Sequence, residues 1–345
     1  MLLNFHICKK FNVVFSNHYL MQTIISQDVE KSVTFLKNGE VIGVPTETVY
    51  GLAALCSKPD AIANVFKVKN RPQTNPLIVH IGTFETLSKV CTSFPEKAKI
   101  LADKFWPGPL TLLLPKSEFI SDQITAGSNL VAVRMPNHPV ALELLRILNE
   151  PFVAPSANPA NAISPTSSAH VFEYFNGKIP MILEGGVCEK GIESTIVGFE
   201  NNEVIIHRLG ALSKEAIEQE IGSVQLKNQP KDKIVSPGQF SKHYSPNTPL
   251  VLTNQIENTL RLFPNKKVGL LLFNDLNFPI SETIIIKKLT ENGDLDLAMK
   301  QVYEALHQLD KMNLDLIIAE LLPDVSVGTS VNDRLKRAAG THYIY

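Results

Sequence analysis

The chain has 345 residues, room for one large domain or two ordinary ones, and its 44% hydrophobic content excludes a wholly disordered polymer. With 33 basic and 34 acidic residues, the formal charge of −1 excludes a strongly basic nucleic-acid coat and an acidic tail protein, but not a local basic cleft. No stretch of about 18 residues lacks charged or polar breaks, so no membrane-spanning helix is predicted.

Residues 1–22 stand apart. Lys9 and Lys10 sit between short apolar runs, Phe11–Phe15 is too short for a signal-peptide core, and no small-residue cleavage site follows. They read as an extension that the domain starting at residue 23 does not need. Asp28–Asn38 carries Val29, Val33, Phe35 and Leu36 at helical spacing and is stopped by Gly39. Val41–Val44 is a short buried strand. Asp60 is expected to cap a helix with Ile62, Val65 and Phe66 on one face. Leu77–Ile81 is the next strand, and Pro95–Lys104 a helix ended by Trp106-Pro-Gly-Pro109. Strands follow at Leu110–Leu114 and Val131–Arg134, then a helix Pro139–Leu148 with Pro139 in its first turn. Phe152–Ala154, Met181–Leu183, Ser194–Val197 and Val204–Ile206 complete a strand-rich set, and Ser213–Ile221 is one more helix. Strands alternating with helices predict a mixed α/β layer architecture.

Lys227 to Pro249 is polar and rich in Pro, Gly and Ser, which is a linker composition. The pattern then restarts with strands Pro249–Leu252, Val268–Phe273, Ile284–Ile286 and Leu316–Glu320. Helices Gln255–Leu262, Leu295–Leu309 and Val331–Ala339 complete a small βαβ-type domain. The cysteines Cys8, Cys56, Cys91 and Cys188 are scattered, so they make neither a metal knuckle nor a disulfide framework and read as buried thiols in a reducing cytoplasm.

Several loops carry polar groups suited to chemistry. Pro45–Gly51 holds Thr46, Thr48 and Tyr50, either for recognition of a polar ligand or as a strand-edge turn. Lys67, Lys69 and Arg71 end a helix ahead of Pro72, Asn75 and Pro76. They suit phosphate oxygens, although cations there also answer the helix dipole with no ligand. Arg134 at a strand exit is placed to meet a carboxylate, of a ligand or of a surface salt bridge. Ser156 and Asn158 alternate with Ala157 and so face one side of an extended segment. Ser164-Pro-Thr166 is a polar turn, Glu193-Ser-Thr195 precedes a strand and Arg208 ends one. No phosphate-binding glycine loop, dinucleotide fingerprint, zinc set or nucleophile elbow is present. The residues therefore predict a cleft whose cations take phosphate and whose hydroxyl, amide and Arg groups take a small polar ligand. They do not name the reaction.

A family resemblance does. Val44–Leu52, Lys69–Pro72 with Asn75–His80, Trp106–Thr111, Val133–Pro136, Pro155–Asn158 and Glu193–Val197 resemble, in order, the motifs of the YrdC-like threonylcarbamoyl-adenylate synthases. The K-x-R pair Lys69 and Arg71 and the S-x-N pair Ser156 and Asn158 are that family's signature. The resemblance runs from about Val33 to Gly210. Ser236–Pro246 resembles the linker motif of the two-domain form.

The resemblance implies a YrdC-like mixed twisted open sheet with flanking helices, plus a smaller C-terminal Rossmann-like α/β domain. The expected spans are 23–212 for the catalytic domain, 213–247 for a helix and lid-like linker, and 248–345 for the accessory domain. It implies that L-threonine, bicarbonate and ATP give L-threonylcarbamoyladenylate and pyrophosphate, with Mg²⁺ carried by ATP and no metal-ligating side chains. Lys69 and Arg71 are then the catalytic cations. ATP is expected to meet Lys69, Arg71, Asn75, Asn158, Thr166, Arg208, His243 and Tyr244. Threonine is expected to meet Thr48, His80, Arg134, Ser156 and Ser194. The product would feed a threonylcarbamoyl-transferase complex modifying adenosine 37 of tRNAs that read ANN codons, with a weak tRNA contact, in the cytoplasm. The alternative is an RNA-binding module that uses a basic concave sheet and does no chemistry.

Overall fold

The computed structural model describes residues 22–200, 203–227, 244–275 and 284–340. The chain enters through β1 (Ile24–Ser26) and α1 (Val29–Lys37), whose N-terminus is capped by the Asp28 carboxylate accepting from the Lys31 amide. β2 (Ile42–Val44) turns back into β3 (Gly51–Leu55), and α2 (Pro59–Lys69) follows. Asp60 is not the cap of α2. The helix starts on Pro59, whose missing N–H is not needed there, and Asp60 lies in the first turn, where its charge suits the dipole. Next come β4 (Ile78–His80), α3 (Phe84–Val90), α4 (Glu96–Phe105), β5 (Leu110–Pro115), α5 (Asp122–Thr125), β6 (Leu130–Arg134) and α6 (Pro139–Leu148). β7 (Phe152–Val153), α7 (Ser168–Phe175), β8 (Met181–Leu183), β9 (Thr195–Glu200), β10 (Glu203–Arg208), α8 (Lys214–Ile221) and β11 (Gln225–Leu226) complete the first unit.

Its strands form a mixed sheet in the order β1-β8-β2-β3-β7-β4-β6-β5-β9-β10-β11. Alternation along β3 explains the layers: Leu52 and Ala54 face one side, Ala53 and Leu55 the other. On the first side, Ile62 and Phe66 of α2, Leu101 of α4 and Phe175 of α7 close over Leu52, Val79, Leu112 and Val133. On the second, Val33 and Leu36 of α1 and Leu144, Leu145 and Leu148 of α6 close over Ile42, Leu55 and Phe152. Each such fully buried side chain contributes about 2 kcal/mol. α8 belongs to this unit: Ile217 enters the first core, and Lys104 of α4 pairs with Glu220 at 3.0 Å.

The second unit holds β12 (Leu250–Thr253), α9 (Ile256–Arg261), β13 (Val268–Leu272), β14 (Ile285–Lys288), α10 (Leu295–Asp310), β15 (Leu316–Glu320) and α11 (Val327–Ala339). Its strands are all parallel, in the order β12-β15-β13-β14, with α10 and α11 over one face and α9 over the other. The two units share a core, because Val49, Ile163, Ile192 and Ala211 of the first join the α10–α11 cluster. Gly191 makes this approach (φ +78°): a Cβ there would lie 2.3 Å from the Lys300 carbonyl oxygen of α10.

Cys56, Cys91 and Cys188 are buried free thiols, as expected; Cys8 lies outside the described residues. Among the described residues no helix is long and apolar enough to cross a membrane.

Candidate active site

Two adjoining cavities open beside the ends of the central strands. The first is lined by Thr46, Thr48, His80, Arg134, Glu193, Ser194, Arg208 and Tyr244, among others. The second is lined by Lys69, Asn75 and Asn158 with their neighbours. Arg71 and Ser156 line both.

The loop between β2 and β3 is both a turn and a wall. The Thr46 hydroxyl accepts from the amides of Thr48 and Val49, each at 3.2 Å, and donates to the Val49 carbonyl at 2.6 Å. This local bonding fixes Thr48 against the first cavity. Opposite it, parallel pairing of β4 and β6 sets His80 beside Arg134 in register. Burial, and then the Arg134 charge, push the His80 imidazole down to about 3, against a raising bond from the Ile78 backbone. It is therefore neutral at physiological pH. Its ring stacks on Phe152 at 5.7 Å, and its Nδ1 has no protein partner.

The pair that Arg134 makes is not a surface salt bridge: its partner is Glu47, with Nη2 2.7 Å from Oε2 and both side chains almost fully buried. The contact is an ion pair rather than an aligned hydrogen bond. Of the five guanidinium donors, only Nε is bonded, to the Gly108 carbonyl at 3.3 Å, so donors remain for a ligand. Glu47 escaped the sequence reading. Its signal was available: it is the only charged residue in Val44–Leu52, and a buried charge needs a counter-charge.

Asn70 ends α2 in the left-handed conformation (φ +51°) and turns the chain, separating three cations. Lys67 is exposed, so the helix-dipole reading suits it. Lys69 is buried and donates to the Ser156 and Asn158 carbonyls, tying the S-x-N loop to the helix end. Arg71 donates to the Asn75 and Pro76 carbonyls at 3.2 and 2.8 Å. Burial, then the neighbouring Arg71, push the Lys69 ammonium well below its usual range. Burial also lowers Arg71, which Tyr244 counteracts and Arg208 reinforces. Cations gathered at a buried site favour an anion among them.

Ser156 and Asn158 do face one cavity, and the Asn158 Oδ1 and Asn75 Oδ1 atoms are buried without protein partners. Ser194 is bonded to Thr111 at 2.7 Å and to Arg208 at 3.1 Å. Tyr244 of the linker reaches the first cavity. Thr166 is not brought to either cavity: it is buried beside His170, within 3.4 Å of its Nδ1. His243 lies outside the described residues.

Glu193, which by its sequence position only leads into a strand, is a buried wall residue. Burial pushes its carboxyl up. Arg334 and Arg208, with hydrogen bonds from Ser164 and Arg334, outweigh this and hold it at about 2, below an ordinary value of 4.5. A depressed pKa contributes stability above the unfolded value that is lost as pH falls through the folded one. Glu193→Gln is therefore expected to cost roughly 3 kcal/mol at pH 7, by removing one of the two carboxylates that pair with the buried Arg334. It should also flatten the acid loss between pH 4.5 and about 2. Denaturant unfolding across pH checks this; parallel acid profiles of variant and wild type would contradict it.

Among the described residues no group of three or more His, Cys, Asp or Glu side chains gathers as a metal site. Residues 34–210 match the Sua5/YciO/YrdC family model, described as telomere recombination, and residues 212–340 match the model described as threonylcarbamoyl-AMP synthase, C-terminal domain. A threonylcarbamoyl-AMP synthase of Bacillus subtilis is 36% identical over 92% of this chain and 94% of its own length. One from Pyrococcus abyssi is 36% identical over 90% of this chain and 93% of its own. The crystal structure of P. abyssi Sua5 complexed with L-threonine superposes with a TM-score of 0.87 at 34% identity, covering 93% of this chain and 99% of that one. Matched by both family models and sharing that fold along nearly its whole length, the chain belongs to the threonylcarbamoyl-AMP synthase family, in the form that carries the additional C-terminal domain.

Proposed function

We propose that this chain makes L-threonylcarbamoyladenylate and pyrophosphate from L-threonine, bicarbonate and ATP. The observation that carries the reading is the shared wall: a cavity with the groups for an amino acid meets a cationic cavity at Arg71 and Ser156. The two reactants would meet at that junction. The threonine amine and bicarbonate give a carbamate and water. A carbamate oxygen then bonds to the α-phosphorus of ATP, the bond to the β-phosphate oxygen breaks, and pyrophosphate leaves with that electron pair. Such a displacement asks for positioning and charge neutralisation, not for a protein nucleophile.

In this reading Arg134 takes the threonine carboxylate, while Thr48, His80 and Ser194 hold its polar groups. Lys69 and Arg71 neutralise the phosphates, with Asn75, Asn158, Arg208 and Tyr244 facing the nucleotide. Ser156, at the junction, touches both. Mg²⁺ would enter on the ATP phosphates and offset their charge. Tyr244 closes one side of the cleft against water, which suits a hydrolysable mixed anhydride. The product would pass to a threonylcarbamoyl-transferase complex acting on adenosine 37 of ANN-reading tRNAs, with at most weak tRNA contact by this chain.

The test combines the protein with ATP, threonine and labelled bicarbonate and follows pyrophosphate and label. Release that requires threonine, and that stops on chelation of Mg²⁺, is the expected result. Pyrophosphate release indifferent to threonine would defeat the reading.

A further inference from the structure

We infer that Tyr303 and Arg334, both supplied by the second domain, are positioning residues for the nucleotide side of the cavity, acting through Glu193 and Tyr244. The inference rests on the reaction proposed above and gives the second domain a part in it.

Neither Tyr303 nor Arg334 lines the cavity, and both are fully buried behind its wall. Arg334 Nε donates to Glu193 Oε2 at 2.7 Å, its Nη2 to the Leu209 carbonyl at 2.6 Å, and its Nη1 to Asp333 at 2.6 Å. Asp333 is itself fixed by Arg337 at 3.0 Å. The Tyr303 hydroxyl donates to Glu193 Oε2 at 3.1 Å. The same two residues hold Tyr244: its ring stacks on Tyr303 at 5.8 Å, and the Arg334 guanidinium lies 5.0 Å from its centre. Tyr244 has φ +62°, a backbone conformation that a tyrosine keeps only where its surroundings enforce it.

The charge pattern states why the wall needs them. Glu193 is a carboxylate in the same wall as Arg208 and Tyr244, the two groups of this cavity placed on the nucleotide. Left bare, it would repel ATP phosphates in a medium of low dielectric. Arg334, Tyr303 and Ser164 saturate it from behind. Arg208 is thereby left to bond Ser194 at the cavity face, at 2.8 Å to its carbonyl and 3.1 Å to its hydroxyl. A buried ion pair is a poor stabiliser against an apolar replacement; here its contribution is to fix the geometry of the wall.

The test uses the full chain with Arg334→Met, Tyr303→Phe and the double variant Arg334→Met/Glu193→Gln. ATP with Mg²⁺ is titrated by calorimetry, and KM for ATP and for threonine are measured beside thermal midpoints. Arg334→Met is expected to weaken ATP binding and raise its KM about tenfold, with threonine changed far less. The double variant, which removes the uncovered charge, is expected to recover most of that loss. Tyr303→Phe keeps the ring stack and should show a smaller change in the same direction. A merely structural role predicts lower kcat following the thermal midpoint with both KM values intact, and that pattern would overturn the inference. So would unchanged ATP binding in both single variants. If wild-type protein released no threonine-dependent pyrophosphate, the proposed reaction would fail while the calorimetry still judged the wall.

Discussion

Arg134→Ala is expected to weaken threonine about a hundredfold while changing ATP far less, since truncating one member of a buried charge pair costs several kcal/mol. Two effects combine. The ligand carboxylate loses its partner, and Glu47 is left buried without the cation 2.7 Å away. The second effect lowers stability by about 3 kcal/mol, so affinity must be read on folded protein. Arg134→Ala/Glu47→Gln separates the two: it should regain stability and not threonine affinity. Lys69→Ala should do the reverse of Arg134→Ala and weaken ATP more than threonine, because it removes a phosphate-side cation and frees the Ser156 and Asn158 carbonyls. Separate KM measurements for the two substrates decide this. Equal losses of both in either variant would refute the division of roles.

Gly210→Ala is expected to be among the most damaging small substitutions in the chain. A Cβ at this position would lie 2.4 Å from the Glu193 carbonyl oxygen and from the Ser194 carbonyl carbon, and 2.5 Å from the Thr195 amide. All three are backbone atoms, so no rotamer relieves the clash. The two segments are also stitched by Ala211 N to Glu193 O at 2.9 Å and by Thr195 Oγ1 to Leu212 O at 2.6 Å. Separating them costs roughly 3 kcal/mol or more, and it displaces Ser194 from the cavity. A clear drop in thermal midpoint with a raised threonine KM is the expected result. Wild-type values for both would show that the segments part freely.

The elements legible in the sequence were those with a period or a stop signal. Pro139–Leu148 and Leu316–Glu320 match their predicted bounds residue for residue. The strand Gly51–Leu55 was missed because Gly-Leu-Ala-Ala-Leu, buried throughout, has no alternation to mark it. Ser168–Phe175 and Phe84–Val90 were missed although Ser167 and Thr83 cap them, because each is short. The tail helix begins at Val327, four residues before its expected start at Val331.

The site divides along the same line. The motif residues Thr48, Lys69, Arg71, Ser156 and Arg134 could be chosen from the sequence because their loops concentrate polar groups between apolar strands, and the cavities gather them. Glu47, Glu193, Tyr303 and Arg334 could not be paired that way. Glu193 and Arg334 are 141 positions apart and sit in different domains.

The sequence by itself determined the α/β class, the two-unit organisation and the family, since period, turn chemistry and motif order are short-range properties of the chain. Only the tertiary structure decided which charges are buried and which partners meet them. Lys67 and Lys69 are two residues apart on one helix, yet one is exposed and the other sealed against two carbonyls. Burial and long-range charge pairing depend on what the rest of the chain brings alongside, and no local pattern records that.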